Sequence, residues 1–85
     1  MDETKILDWF RSHLFLKYGI REELVAPPAK LVTDLALDSL DLMSFMFAVE
    51  EEFGLEIFMN DEDDYGEIRT VADAIGYILR ELNNG

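Results

Sequence analysis

Thr33-Asp34-Leu35-Ala36-Leu37-Asp38-Ser39-Leu40-Asp41-Leu42-Met43-Ser44-Phe45-Met46-Phe47-Ala48-Val49-Glu50-Glu51-Glu52-Phe53-Gly54 is the stretch that decides the fold of this chain. A polar turn gives way there to a long apolar run of helical period. Asp38 is a strong N-cap residue, because its carboxylate can accept a bond from an unpaired first-turn N–H. Asp41 falls in the first turn, where a negative charge suits the positive end of the helix dipole. The spacing predicts a helix from Ser39 to about Phe53, stopped by Gly54. Leu42, Phe45, Met46, Val49 and Phe53 recur every three or four residues and form a core face. Leu40, Met43, Ser44, Phe47 and Glu51 form a second stripe, rotated away from the first. An isolated domain gains little by exposing Leu40, Met43 and Phe47 together, so this stripe is a candidate docking surface. The competing reading buries both stripes in a dimer or a wider core.

Working outward, Ile6, Leu7, Phe10 and Leu14 mark a first helix from Thr4 to about Tyr18, with Trp9 widening its apolar face and Gly19 as its C-cap. Trp9, Phe10 and Phe15 read as first-helix packing. Ile20 to Lys30 reads as a long loop, stiffened by Pro27-Pro28, with one short turn over Glu22, Glu23, Leu24 and Val25. Leu31, Val32 and Leu35 are expected to pin this loop to the core. A brief helix is expected at about Asp61 to Tyr65. The last helix starts after Thr70, whose hydroxyl pairs with Asp73 in a capping box, and Val71, Ala72, Ile75, Ile78, Leu79 and Leu82 form its inner face. No alternating Val/Ile/Thr run indicates a strand. The expected fold is all-α: a small four-helix bundle with three main helices, one short helix and a long first loop, in a single domain over residues 1–85.

Composition bounds the function. Nineteen acidic residues face seven basic ones, giving a formal net charge of −12. Between Lys30 and Arg69 there are twelve Asp and Glu and no Lys or Arg. Such a chain is unsuited to a nucleic-acid backbone, which requires clustered cations, and to an anionic membrane surface. A solubilising surface is the simplest use of the charge. Its concentration around Ser39 points further, to a field that steers basic partner enzymes toward that segment. The chain has no cysteine, so stability rests on helix packing without disulfide or thiolate-metal support. The apolar runs fall far short of the ~20 residues that span a bilayer. With no leader pattern at its start, the chain is expected to be cytoplasmic, and a monomer.

Ser39 carries the chemistry. Taken alone, Asp-Ser-Leu before an apolar run is most often a helix start and nothing more. A serine nucleophile needs a histidine base and an orienting acid. The chain has one histidine, His13, far upstream, and 85 residues cannot build an α/β hydrolase scaffold. Covalent attachment is the third reading. Asp34-Leu35-x-x-Asp38-Ser39-Leu40-Asp41, the helix ending Glu50-Glu51-Glu52-Phe53, the long first loop and the Thr70-Val71-x-x-Ala74-Ile75 helix start together resemble the acyl carrier proteins of fatty acid and polyketide synthesis.

The resemblance implies that a basic, Mg²⁺-dependent phosphopantetheinyl transferase, the holo-synthase, attaches 4′-phosphopantetheine to Ser39. Asp38 and Asp41 would help bind that enzyme. It implies that the chain is no enzyme but a carrier of thioester-bound acyl groups to basic acyl-transferring or synthase enzymes. Partner docking would fall to Asp38, Leu40, Asp41, Met43, Ser44, Phe47 and Glu51. A short acyl chain would be held among Phe45, Met46, Val49, Ile57, Ile68 and Ile75.

Several positions depart from the family pattern. Ala36 stands where glycine is frequent, and Ser44 where Glu is common. Phe45 and Phe47 replace aliphatic residues. The connector after Gly54 is about three residues longer, with Phe58-Met59 where Pro-Asp is frequent. A specialised rather than primary fatty-acid carrier is the expectation. The alternatives are a peptidyl or aminoacyl carrier, and a small acidic helical adaptor that is never modified. Asp61-Glu62-Asp63-Asp64 does not meet the EF-hand spacing, since Tyr65 falls at the fifth position and Ala72 at the twelfth, so no metal is assigned to it, with a loose, low-affinity divalent site as the alternative.

Overall fold

The computed structural model describes residues 2–55 and 68–84, and among the described residues three α-helices share a common apolar interior. They are α1 (Glu3–Tyr18), α2 (Ser39–Phe53) and α3 (Val71–Asn84), and a single 3₁₀ turn (Glu22–Leu24) interrupts the first loop. The expected brief helix at Asp61 to Tyr65, the Asp61–Asp64 segment, Phe58-Met59 and Ile57 lie outside the described residues.

Local contacts set the helix starts and the ends of α1 and α2. Asp2 caps α1 by accepting from the Lys5 N–H at 2.9 Å. Gly19 ends it in the left-handed conformation at φ 70, where a side chain would be strained. Gly54 ends α2 in the same way at φ 68. α3 opens with the expected capping box: the Asp73 N–H donates to the Thr70 hydroxyl at 3.1 Å, and the Thr70 N–H donates back to the Asp73 carboxylate at 3.1 Å. The Arg69 N–H reaches the same carboxylate, and these backbone donors hold the Asp73 pKa below its ordinary value.

α1 runs antiparallel to α2. Along α1 the residues Trp9, His13 and Tyr18 meet Phe53, Phe45 and Asp41, which run backward along α2. The seam is aromatic. Trp9 stacks on His13 with centroids 4.7 Å apart, and meets Phe53 edge-on at 5.3 Å. Phe10 meets Phe45 edge-on at 4.9 Å. The loop is laced to the start of α3. Leu31 N–H donates to Arg69 C=O, Val71 N–H to Ala29 C=O and Ala72 N–H to Pro27 C=O, each at 2.9 Å. Lys30 and Thr70 form an isolated antiparallel bridge, and the described residues contain no β-strand.

The core takes Ile6, Phe10 and Leu14 from α1, Val25, Leu31, Leu35 and Leu37 from the loop, Phe45, Met46 and Val49 from α2, and Val71, Ala74, Ile75, Tyr77 and Ile78 from α3. Three expectations are corrected. Val32 is 55% exposed, because the hydrogen bonds at Leu31 turn that residue inward and leave its neighbour on the outside of the turn. Ala72 is exposed while Ala74 and Tyr77 are buried, because the buried stripe of α3 is centred on Val71, Ala74 and Ile78, and Ala72 lies 100° beyond Val71. Phe15 is 51% exposed, since it stands one residue round the helix from the buried row Ile6, Phe10, Leu14.

Candidate functional site

Ser39 is the first helical residue of α2 and is exposed. The turn that delivers it is built by the preceding loop. The Lys30 N–H donates to the Asp34 carboxylate at 2.8 Å, so Asp34 serves the turn rather than a ligand. Leu35 and Leu37 insert into the core on either side of Ala36, and their N–H groups bond Lys30 C=O and Leu31 C=O. The hydrogen bonds from both leucines back to Lys30 and Leu31 hold the backbone in a tight turn between them. Ala36 accordingly adopts φ 58, alone among the described non-glycine residues. A residue with a Cβ is strained in this conformation.

Asp38 then caps α2. Its carboxylate accepts from the Asp41 N–H at 2.8 Å, and its carbonyl accepts from the Leu42 N–H at 2.8 Å. That leaves the N–H groups of Ser39 and Leu40 without acceptors in their own helix, at its positive end. A phosphate ester on the Ser39 oxygen meets suitable donors there.

The two stripes of α2 separate as expected. Phe45, Met46 and Val49 are buried, and Leu42 and Phe53 are half-buried against the core. Leu40 is 75%, Met43 45% and Phe47 51% exposed, and Ser44 and Glu51 are exposed beside them. An apolar strip therefore runs from the Ser39 turn down the outer face of α2. It has acidic neighbours at Asp38, Asp41 and Glu51.

Of the six residues expected around an acyl chain, Phe45, Met46, Val49, Ile68 and Ile75 are members of one core cluster, and Ile57 lies outside the described residues. Two recesses touch this set. A 160 Å³ recess holds Ile75 with Glu3, Thr4, Leu7, Pro27 and Ala72. A 380 Å³ recess holds Ile68 with Lys30, Val32, Thr33 and Arg69. These have no lining residue in common, while Phe45, Met46 and Val49 pack to 1% exposure or less.

His13, the residue a hydrolase would need, is committed elsewhere: it packs between Trp9, Phe45 and Tyr18 in the aromatic seam. Its Nε2 is buried with no hydrogen-bond partner. Burial and the Lys17 charge lower its pKa, and Glu52 opposes them. Among the described residues, no three His, Cys, Asp or Glu side chains group as metal ligands. Tyr18 was not singled out by the sequence. Its hydroxyl crosses from α1 to donate to the Asp41 carbonyl at 3.2 Å. A tyrosine just before a helix-ending glycine was the available signal, since a half-buried phenol needs a partner.

Comparison with known proteins agrees with this geometry. The family model described as "Phosphopantetheine attachment site" matches residues 13–77. An acyl carrier protein of Nitratidesulfovibrio vulgaris (strain DSM 19637 / Miyazaki F) is 52% identical over 60 residues, covering 71% of this chain and 75% of that protein. An acyl carrier protein of Thermotoga maritima is 37% identical over 78 residues, covering 92% of this chain and 93% of that protein. The solved structure of the acyl carrier protein from Enterococcus faecalis superposes with a TM-score of 0.75 at 27% identity, covering 95% of this chain and 99% of that one. With the attachment-site pattern spanning the Ser39 turn and relatives aligned over 75% to 99% of their length, this chain belongs to the acyl carrier protein family, whose members bear a covalent 4′-phosphopantetheine and are carriers rather than catalysts.

Proposed function

We propose that the whole chain is one carrier domain whose Ser39 hydroxyl holds the 4′-phosphopantetheine, and that acyl groups travel on the arm's thiol as thioesters. The observation that carries this reading is the placement of an exposed serine at the first position of a capped 15-residue helix, beside the exposed Leu40, Met43 and Phe47. The site fits the group: the hydroxyl is accessible, and the first-turn N–H groups and helix dipole favour the phosphodiester that would form. In that transfer the Ser39 Oγ–P bond forms and the phosphoanhydride bond of coenzyme A breaks. Adenosine 3′,5′-bisphosphate leaves, and the serine proton passes to a base of the transferase.

Asp38, Leu40, Asp41, Met43, Ser44, Phe47 and Glu51 are the surface proposed for partners. Its acidic rim suits basic enzymes and its apolar strip supplies the buried contact. Phe45, Met46, Val49, Ile57, Ile68 and Ile75 are proposed to receive the acyl chain. Because the first three pack to 1% exposure or less, the chain has to part existing contacts, which favours short acyl groups. Ser44, Phe45 and Phe47 support a carrier specialised for a pathway other than primary fatty acid synthesis. Equal acylation and elongation by a generic fatty-acid system would overturn that assignment. A cytoplasmic monomer is proposed with it; no described helix is long and apolar enough to cross a membrane.

The test is intact-protein mass spectrometry after incubation with coenzyme A, Mg²⁺ and a promiscuous phosphopantetheinyl transferase, with Ser39→Ala beside the wild type. One phosphopantetheinyl addition on the wild type alone is the expected result. No addition on folded wild-type protein with either of two transferases would sink the proposal.

A further inference from the structure

We infer that Tyr18 is a positioning residue for the group transfer at Ser39, acting with Ser44 to hold the first turn of α2 against α1. The inference rests on the attachment reading above. Three observations lead to it. The antiparallel packing brings the last residue of α1 beside the first turns of α2, and the Tyr18 hydroxyl donates to the Asp41 carbonyl at 3.2 Å. Asp41 is thereby held at both ends, because its N–H is taken by the Asp38 carboxylate at 2.8 Å. Ser44 stands near the same phenol from one turn further on, where its side chain opposes the rise in the Tyr18 pKa.

The chemistry explains why these residue types stand here. A tyrosine hydroxyl can reach across a helix seam and donate once to a backbone carbonyl while its ring packs. This ring has His13 edge-on at 6.5 Å. Burial and the charges of Asp41 and Asp38 raise the Tyr18 pKa, against the opposing effect of Ser44, so the hydroxyl stays a donor across the neutral range. A long carboxylate at position 44 would add a third negative charge beside a phenol that Asp38 and Asp41 already flank. Serine is compact and uncharged. Ser44 therefore leaves the Tyr18–Asp41 bond free of a third neighbouring carboxylate. The residues so held, Ser39 to Asp41, are those a transferase has to grip, and a loosened turn has to be ordered at the expense of binding.

Tyr18→Phe keeps the ring and removes the hydroxyl. Two measurements are made on the full chain: transferase kinetics with coenzyme A and Mg²⁺, and amide hydrogen exchange along α2. Losing one net hydrogen bond predicts about a two- to tenfold rise in KM for the carrier, with kcat little changed. Exchange should accelerate by a similar factor in the first two turns of α2 and stay unchanged toward Phe53. Ser44→Ala should move both readouts the same way by less. Unchanged KM together with unchanged first-turn exchange overturns the inference. Uniformly faster exchange along the whole of α2 with KM unmoved also overturns it, since Tyr18 would then serve general stability. If wild-type protein accepts no phosphopantetheine, the attachment reading fails and this one with it; normal wild-type modification with an unaltered Tyr18→Phe defeats this one alone.

Discussion

Replacing Ala36 by glycine should stabilise the protein, against the usual direction of such a change. Ala36 sits at φ 58, in the left-handed region. It cannot relax, because Leu35 and Leu37 on either side are 4% and 2% exposed and their N–H groups bond Lys30 C=O and Leu31 C=O at 3.0 and 3.1 Å. A residue with a Cβ costs roughly 1–2 kcal/mol in this conformation. Glycine removes that strain but adds freedom to the unfolded chain, which offsets about 0.4–1 kcal/mol. The difference leaves a net gain of about 0.5–1 kcal/mol, or a Tm rise of roughly 2–8 °C for a domain of this size. Thermal melting followed by circular dichroism, paired with a urea midpoint, measures it. Ala36→Val is the counterpart, since a β-branched residue is still less tolerant of positive φ, and its Tm should fall. An unchanged or lowered Tm for Ala36→Gly would refute the claim that this turn holds strain.

Two further predictions rest on the seam and the outer stripe. The folded His13 pKa lies below its unfolded value of 6.5, because burial disfavours the charged form. The unfolded chain therefore binds the proton first, and the contribution of His13 to stability is complete above pH 6.5 and declines as pH falls below it. His13→Phe retains the aromatic stack and removes the titration, so the Tm of the variant relative to wild type should rise steadily from pH 7 to pH 5; a pH-independent difference would refute this. Leu40→Ala and Met43→Ala alter side chains that are 75% and 45% exposed, so melting should shift little. The same substitutions should raise KM for a basic partner enzyme, and an unchanged KM would remove the outer stripe from the docking surface.

Local chemistry settled much of this molecule in advance. Asp38, Gly19, Gly54 and the Thr70–Asp73 pair act through neighbours within a few residues, so both the start and the stop of α2 were legible from side-chain type alone. The separation of Leu40, Met43 and Phe47 from Phe45, Met46 and Val49 was equally legible, because helical period fixes which residues share a face. The same rule misplaced Ala72 and Phe15, where one step of 100° divides inside from outside and several apolar residues compete for the inner face.

What the tertiary structure alone decided comes from contacts between segments remote in the chain. Val32 is turned outward by the lacing of Leu31 to Arg69 and Leu37, which no window around Val32 contains. His13 was distinctive in sequence only for lacking catalytic partners, and packing made it one layer of an aromatic seam. The left-handed Ala36 stands between Leu35 and Leu37, whose N–H groups bond back to Lys30 and Leu31 while both side chains enter the core. Tyr18 reaches Asp41, 23 positions away, because α1 and α2 pack antiparallel. The sequence by itself determined the helices, their caps and the serine that opens α2, since these depend on side chains acting over one helical turn. Only the tertiary structure decided how the Ser39 turn is braced, because its supports come from α1 and from the far side of the first loop.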